Sequence, residues 1–393
     1  MAEKINDILS SWGAGRNALL YGPPATGKTR LISELFEALR NRPKSDRGIL
    51  LDVTNAQTPF SRPELDITIP LPAKVVWTTF HQSYGYEDFV LGLRPDITAS
   101  GTSLKPWSGV FLDAALELAD PDSEYCSVVI FIDEINRGNA ARIFGEFMTF
   151  LDFDYREDGS VPLPVPLRQL VYSEGQSEEI RRPSSKKATI PEGFTFPKHI
   201  YIVATMNSVD RAAVPIDSAL ARRFDRIEMR PNPDVLASHW RLEKAAIAAA
   251  NTDNWESLTP FETAYLLLDR LNVAIASNLG PEFELGHGLL TPMRATKVDD
   301  SGAEIPVEEK FAWRSLAKAW DDVLFPQLED RYSGRPDQLL ELLHVESPPP
   351  AGDFAWALRA TKSGAITART LAPVRVSELD IDVIKRSFRW LTM

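Results

Sequence analysis

The chain has 393 residues, 44% hydrophobic and 25% charged, a globular balance that excludes a disordered or fibrous protein and leaves room for two domains. Its 43 Lys and Arg against 55 Asp and Glu give a formal net charge of −12, the wrong sign for coating DNA by bulk electrostatics, so a nucleic-acid contact would need a local patch or a partner subunit. The single Cys126 excludes an internal disulfide and a thiolate zinc site, and the scattered histidines carry no metal-enzyme spacing.

At the N-terminus, MAEKINDILSSW has no apolar core of signal-peptide length. No apolar run approaches the ~20 residues that span a bilayer, so the expectation is a cytoplasmic protein without a membrane contact. Residues 17–21 (NALLY) predict a buried strand. A Gly/Pro-rich turn follows, then a helix with Leu31, Ile32, Leu35, Phe36 and Leu39 on its apolar face. Residues 48–53 (GILLDV) predict a second strand, and residues 128–132 (VVIFI) a strand buried on both faces. Ala140, Ile143, Phe144, Phe147, Met148 and Leu151 recur at helical spacing, predicting a helix over 139–152. Residues 155–197 carry many prolines, carboxylates and the basic pairs Arg181-Arg182 and Lys186-Lys187, and read as an inserted hairpin and solvated, mobile loop. A strand over 200–205 (IYIVAT) and a short helix over 217–223 complete an α/β pattern with a largely parallel sheet.

Beyond Pro231-Asn232-Pro233 the sequence becomes Ala- and Leu-rich and helical, which sets the domain boundary. Phe311, Trp313, Leu316, Trp320, Val323, Leu324 and Leu328 predict one long helix with an apolar stripe. Pro348-Pro349-Pro350 breaks this part before a last segment over 381–392.

The chemistry concentrates at two strand ends. Gly22-Pro23-Pro24-Ala25-Thr26-Gly27-Lys28-Thr29 fits G-x-x-x-x-G-K-[ST] between a strand and a helix. Glycines let backbone N–H groups wrap phosphate oxygens, and the helix N-terminus adds positive potential. In that reading Lys28 reaches the β- and γ-phosphates, the Thr29 hydroxyl ligates Mg²⁺, and Arg30 completes the nucleotide-binding run. The strand over 128–132 delivers Asp133 and Glu134 at its C-terminal end, where ligands of parallel sheets collect. Asp133 is suited to hold Mg²⁺, directly or through its waters, and Glu134 to orient and deprotonate the attacking water.

The phosphate loop, VVIFIDEINRGNAARIFGEFMTFLD and IYIVATMNSVDRAAVPIDSALARRFDRIEM together resemble an AAA+ motor of the McrB branch, with further likeness in TTFHQSYGYEDFVLGLRP and Leu285-Gly286-His287-Gly288. The resemblance covers roughly the first 290 residues. It implies a P-loop AAA+ parallel sheet flanked by helices over 1–230, with an insert at about 155–197, and a mainly helical lid over 231–393 with a C-terminal extension. It places Asn207 at the sensor position that bonds the γ-phosphate and the lytic water. It makes either Arg222 or Arg223 an arginine finger acting on a neighbouring subunit. His287 falls in the lid, at or near the nucleotide, or is structural; Asn136, Arg137, Asp210 and Arg211 fall near a subunit interface. The aromatics Phe80, Tyr84, Tyr86 and Phe89 are either a recognition loop or core.

The implied function is a hexameric, Mg²⁺-dependent ATPase or GTPase that drives a DNA restriction or defence complex, reaching DNA through a McrC-like effector subunit. Two departures qualify this. The loop begins at Gly22, so the expectation is a motor without a preceding DNA-reading domain, and Met206-Asn207-Ser208-Val209-Asp210-Arg211 differs from the usual MNTADR. The choice between ATP and GTP stays open. The competing readings are a chaperone of the MoxR-like, dynein-related group acting on a protein client, and a catalytically quiet nucleotide switch.

Overall fold

A run such as Val128–Ile132 can lie in water on neither face, so it needs apolar layers above and below. The computed structural model, which describes residues 2–40, 69–70, 72–98, 101–157, 159, 161–172, 179–184, 186–209, 216–245, 247, 255–298, 302–349, 352–363 and 366–393, supplies both. Strands β1 (Asn17–Gly22), β2 (Ala73–Thr79), β5 (Ser127–Asp133), β8 (Ile200–Asn207) and β9 (Phe224–Glu228) form one sheet in the order β2-β5-β8-β1-β9. β2 pairs with β5, β5 with β8, and β1 with β9, each in parallel. Alternate side chains enter opposite layers. Val128, Ile130 and Ile132 pack with Phe144 and Phe147, whereas Val129 and Phe131 pack with Leu31, Ile32 and Leu35 of the helix Lys28–Arg40. The strand expected at 48–53 lies outside the described residues.

The chain divides into two compact units, Met1–Tyr21 with Lys28–Met229, and Gly22–Gly27 with Arg230–Met393. In the first, a hairpin of β3 (Leu91–Thr98) and β4 (Gly101–Ser108) pairs onward to β6 (Ile180–Arg181) and β7 (Lys187–Ala188) in a second sheet.

Two local expectations change, and one left open is decided. The helix expected over 139–152 is α-helical only over Ala140–Phe144 and continues as a 3-10 helix over Gly145–Leu151. Gly145 adopts φ +52, and a Cβ there would come within 3.0 Å of the Tyr86 ring, so the close approach of that ring goes with a break in the α-helix. The solvated basic loop is also corrected at Arg182. Its side chain is 1% exposed and pairs with Asp113 at 2.7 Å and Glu117 at 2.6 Å, with Lys74 on the same two carboxylates. Arg156 is likewise buried, its guanidinium donating to the carbonyls of Phe150, Lys198 and Ile200. Burial lowers its pKa to about 9. Finally, Phe80 and Phe89 are fully buried with Tyr84 and Tyr86 packed against them, so this aromatic cluster is core.

The second unit is mainly helical. The helix Pro260–Asn278 starts in a capping box of Thr259 and Glu262. The long helix expected from Phe311 to Leu328 is continuous but not uniform. Glu309–Ala319 and Phe325–Arg331 are α-helical, and a π-turn at Trp320–Leu324 joins them. Pro326 has no N–H to donate back to the Asp322 carbonyl, which favours a widened turn there. Trp313, Leu316, Trp320, Leu324 and Leu328 are core, while Phe311, first in the stripe, is 60% exposed. Short hairpins, β10 (Thr296–Val298) with β11 (Glu304–Pro306) and β12 (Leu358–Ser363) with β13 (Ile366–Leu371), interrupt the helices.

Candidate nucleotide site

Strand β1 lies between β8 and β9, so the chain leaves it at the point where the sheet order reverses, the place where α/β sheets open a crevice. The turn that follows has positive φ at Gly22, Ala25 and Gly27, a backbone of the kind that gathers N–H groups into an anion-binding concavity. The Thr26 hydroxyl donates to the Pro23 carbonyl at 3.0 Å and closes the turn from within. The next residue, Lys28, opens the helix Lys28–Arg40.

Lys28 is 6% exposed. Burial lowers its pKa to about 8, although the charges of Glu134 and Asp133 act to raise it. Beside it, Thr29 donates its hydroxyl to Asp133 Oδ1 across 3.5 Å. The same oxygen accepts from the Thr205 hydroxyl at 2.5 Å, and Thr205 Oγ1 in turn accepts the backbone N–H of Glu134 at 3.0 Å. Glu134 stands at φ +55, a left-handed conformation costly for a residue with a side chain. Its Oε1 accepts from the Asn207 amide at 2.6 Å, and its Oε2 lies 3.5 Å from the Arg137 guanidinium. Asn136, 4% exposed, donates its own amide to the Asn207 carbonyl at 3.1 Å. Parallel pairing of β5 with β8 brings these residues together, since Ile132 is level with Ala204 and both strands end at the same edge.

Asp133, Glu134 and Asn207, singled out from separate stretches of sequence, therefore meet beside Lys28 and Thr29. Thr205 is the residue that motif reading passes over. Its only signal is a hydroxyl in an otherwise apolar strand end, and its role emerges when β8 is laid against β5. Arg30 is exposed and pairs along its helix with Glu34 at 2.8 Å. The two candidate fingers separate sharply. Arg223 is 9% exposed and is held by Asp152 at 2.9 Å and by the Ala219 carbonyl at 2.8 Å. Arg222 is exposed at the end of the helix Ser218–Ala221. Its backbone carbonyl accepts from Arg16. His287 is buried, and its Nδ1 accepts the backbone N–H of Asn232 at 3.2 Å. Asp210 and Arg211 lie outside the described residues.

The donor set beside Lys28 is one hydroxyl and one carboxylate, both oxygen. That chemistry fits Mg²⁺, which keeps waters and takes substrate phosphates as its remaining ligands. It would not suit a metal that prefers sulfur or imidazole.

Residues 67–224, which contain Asp133, Glu134 and Asn207, match the family model described as the AAA domain of the dynein-related subfamily. Across that span the chain is similar to AAA domains of the dynein-related subfamily. Two curated relatives align with this chain. The Type IV methyl-directed restriction enzyme EcoKMcrB subunit of Escherichia coli K12 is 31% identical over 232 residues, covering 58% of the chain and 39% of the relative. The Type II restriction enzyme BsuMI component YdiS of Bacillus subtilis 168 is 28% identical over 230 residues, covering 58% of the chain and 61% of the relative. The alignments thus span less than two thirds of either relative. Among solved structures, a putative ATPase from Cytophaga hutchinsonii ATCC 33406 overlays with a TM-score of 0.31 at 12% identity, covering 87% of this chain and 79% of that one. Among the described residues, no helix is long and apolar enough to cross a membrane.

Proposed function

We propose that this chain hydrolyses a nucleoside triphosphate, ATP or GTP, as one subunit of a ring. The observation that carries the reading is the convergence of Lys28, Thr29, Asp133, Glu134 and Asn207, each bonded or charge-coupled to another of the set. Gly22 to Thr29 hold the phosphates, with Lys28 as the charged contact. Thr29 and Asp133 would hold Mg²⁺, which when bound would withdraw negative charge from the phosphate oxygens. Thr205 keeps the Asp133 carboxylate turned toward Thr29. Glu134 accepts the proton of the attacking water, and Asn207 aligns Glu134 and that water against the γ-phosphate.

A cation supplied by a neighbouring subunit would complete this set by meeting charge that develops on the γ-phosphate. We assign that role to Arg222, because it is exposed whereas Arg223 is occupied within its own chain. A group that acts in trans requires an oligomer, and a hexamer is the expected ring.

The two relatives are by name a subunit and a component of restriction enzymes. We extend that setting to this chain. It serves as the motor of a restriction or defence complex, and with a net charge of −12 it reaches DNA chiefly through a separate effector subunit. Steady-state hydrolysis of ATP and GTP at matched concentrations, with Glu134→Gln as the blank, tests the chemistry. Turnover by wild type and none by the variant is expected; turnover unchanged by Glu134→Gln overturns the mechanism. Stimulation by DNA together with the effector supports the restriction setting. Stimulation by a protein client alone replaces it with the chaperone reading.

A further inference from the structure

The turn Leu285-Gly286-His287-Gly288 is built into the second unit more tightly than a surface turn requires, and its inner side presses on the phosphate loop. A Cβ at Gly286 would stand 2.2 Å from the Pro24 carbonyl oxygen and 2.3 Å from the Ala25 carbonyl, both backbone atoms that no side-chain rotation can clear. Two residues on, the N–H of Gly288 donates to the Ala25 carbonyl at 2.8 Å, and a Cβ at Gly288 would meet that same oxygen at 2.8 Å. Ala25 is the loop residue that holds a left-handed φ of +61 without being glycine. Such a conformation persists only where the surroundings over-determine it.

The turn is itself fixed from two other sides. Asn272, 7% exposed on the helix Pro260–Asn278, accepts the N–H of Leu285 at 2.6 Å and donates to its carbonyl at 2.9 Å. Arg230 pairs with both carboxylate oxygens of the buried Glu284 through its Nε and Nη2, and the Asn232 N–H donates to His287 Nδ1. A backbone N–H can only donate, so Nδ1 is the unprotonated ring nitrogen. The segment 230–232, where the second unit begins, and the long helix are therefore tied to the same turn that grips the loop.

We infer that the turn 285–288 is a positioning element for phosphate binding: Gly286 and Gly288 hold Pro24–Ala25 in the strained, anion-ready conformation and couple its occupancy to the C-terminal helical unit. This rests on the reading of Gly22 to Thr29 as the triphosphate site. Gly286 and Gly288 are positioning residues that act through the loop backbone. Their substitution displaces the loop and costs affinity before it costs chemistry.

Two measurements on the full chain test this. Hydrogen exchange is followed in peptides covering 22–30 and 284–290, with and without ATPγS or GTPγS and with Lys28→Ala as the control. Protection of both peptides by nucleotide in wild type, and of neither in Lys28→Ala, is the expected result. Protection of 22–30 with 284–290 unchanged overturns the coupling while leaving the triphosphate site intact. Protection of neither in wild type removes the triphosphate site itself and the inference with it. In parallel, Gly286→Ala is expected to raise the analogue Kd at least tenfold with a thermal midpoint near that of wild type. An unchanged Kd in a folded Gly286→Ala protein overturns the positioning role, and should that variant not fold, the exchange experiment on wild type decides alone.

Discussion

The amide of Asn207 donates to Oε1 of Glu134 across 2.6 Å, joining two residues that are 73 positions apart in sequence and belong to neighbouring parallel strand ends. The bond aims the carboxylate of a residue whose backbone is already left-handed, so the proposed general base is held by a side chain on the next strand as well as by its own turn. Removing the amide frees the carboxylate to rotate without emptying the phosphate site. Asn207→Ala is therefore expected to lower kcat by about a hundredfold, in the range of general-base effects, with nucleotide affinity within about threefold. Single-turnover hydrolysis and equilibrium binding measured side by side would separate the two. A large loss of binding with kcat intact contradicts the assignment.

Thr205 offers a finer test of the same edge. Its hydroxyl links Asp133 Oδ1 to the Glu134 N–H, and Thr205→Val keeps its shape while deleting both bonds. The expected outcome is a higher Mg²⁺ concentration for half-maximal turnover and a stability cost of about 1–3 kcal/mol from the buried groups left unbonded. Metal titrations at fixed nucleotide check the first, and denaturant unfolding the second.

Lys28 gives a pH dependence with a definite sign. Its pKa in the free protein is lowered to about 8 by burial, and only the protonated form attracts phosphate. Log kcat/KM is expected to be level below that pH and to fall with unit slope above it, because kcat/KM reports the free enzyme. The linked stability runs the other way. Between about 8 and the ordinary lysine value of 10.5 the unfolded chain binds more protons than the folded one, so the burial penalty is relieved as pH rises. Lys28→Met should abolish that rise, and a kcat/KM profile flat through pH 9 would contradict the role of the ammonium group.

Arg222 and Arg223 are neighbours in sequence with opposite fates. Arg222→Ala is expected to reduce turnover by about a thousandfold or more, the scale of arginine-finger losses, with the thermal midpoint unchanged. Mixing it with Lys28→Ala subunits should restore part of the activity, because each variant supplies what the other lacks across the interface. Arg223→Ala instead leaves Asp152 without its partner and is expected to lower stability. Mixed rings that stay silent would count against action in trans.

The buried cluster of Arg182 with Asp113, Glu117 and Lys74 makes a prediction away from the site. Arg182→Ala leaves Lys74 as the remaining cation on two buried carboxylates and is expected to cost about 2–3 kcal/mol, read by denaturant unfolding. For Glu117 burial acts to raise the pKa, but bonds from Lys74, Ser123 and Arg182 prevail and bring it to about 2. A depressed carboxylate contributes stability that is present above its ordinary value of 4.5 and is lost as pH falls toward about 2. Glu117→Gln should flatten that acid limb.

What the sequence by itself determined was local. Apolar runs such as VVIFI must be strands covered on both faces, and the strand, glycine turn and helix around Gly22–Thr29 follow from neighbouring residues alone, because backbone freedom and periodicity are properties of short stretches. The composition likewise announced a helical second half. Tertiary structure decided whatever depends on which distant residues become neighbours. Helical spacing over 139–152 gave no warning that Gly145 would take a left-handed turn against Tyr86. Charge in the 178–187 stretch read as solvated because sequence does not disclose that Asp113 and Glu117 wait beneath Arg182. The same limit hid Thr205, left Arg222 and Arg223 equivalent, and made His287 a lone histidine. Only when β8 lies along β5, and the turn 285–288 lies on Ala25, do those side chains acquire partners. Burial and pairing are properties of the packed chain, and no single segment contains them.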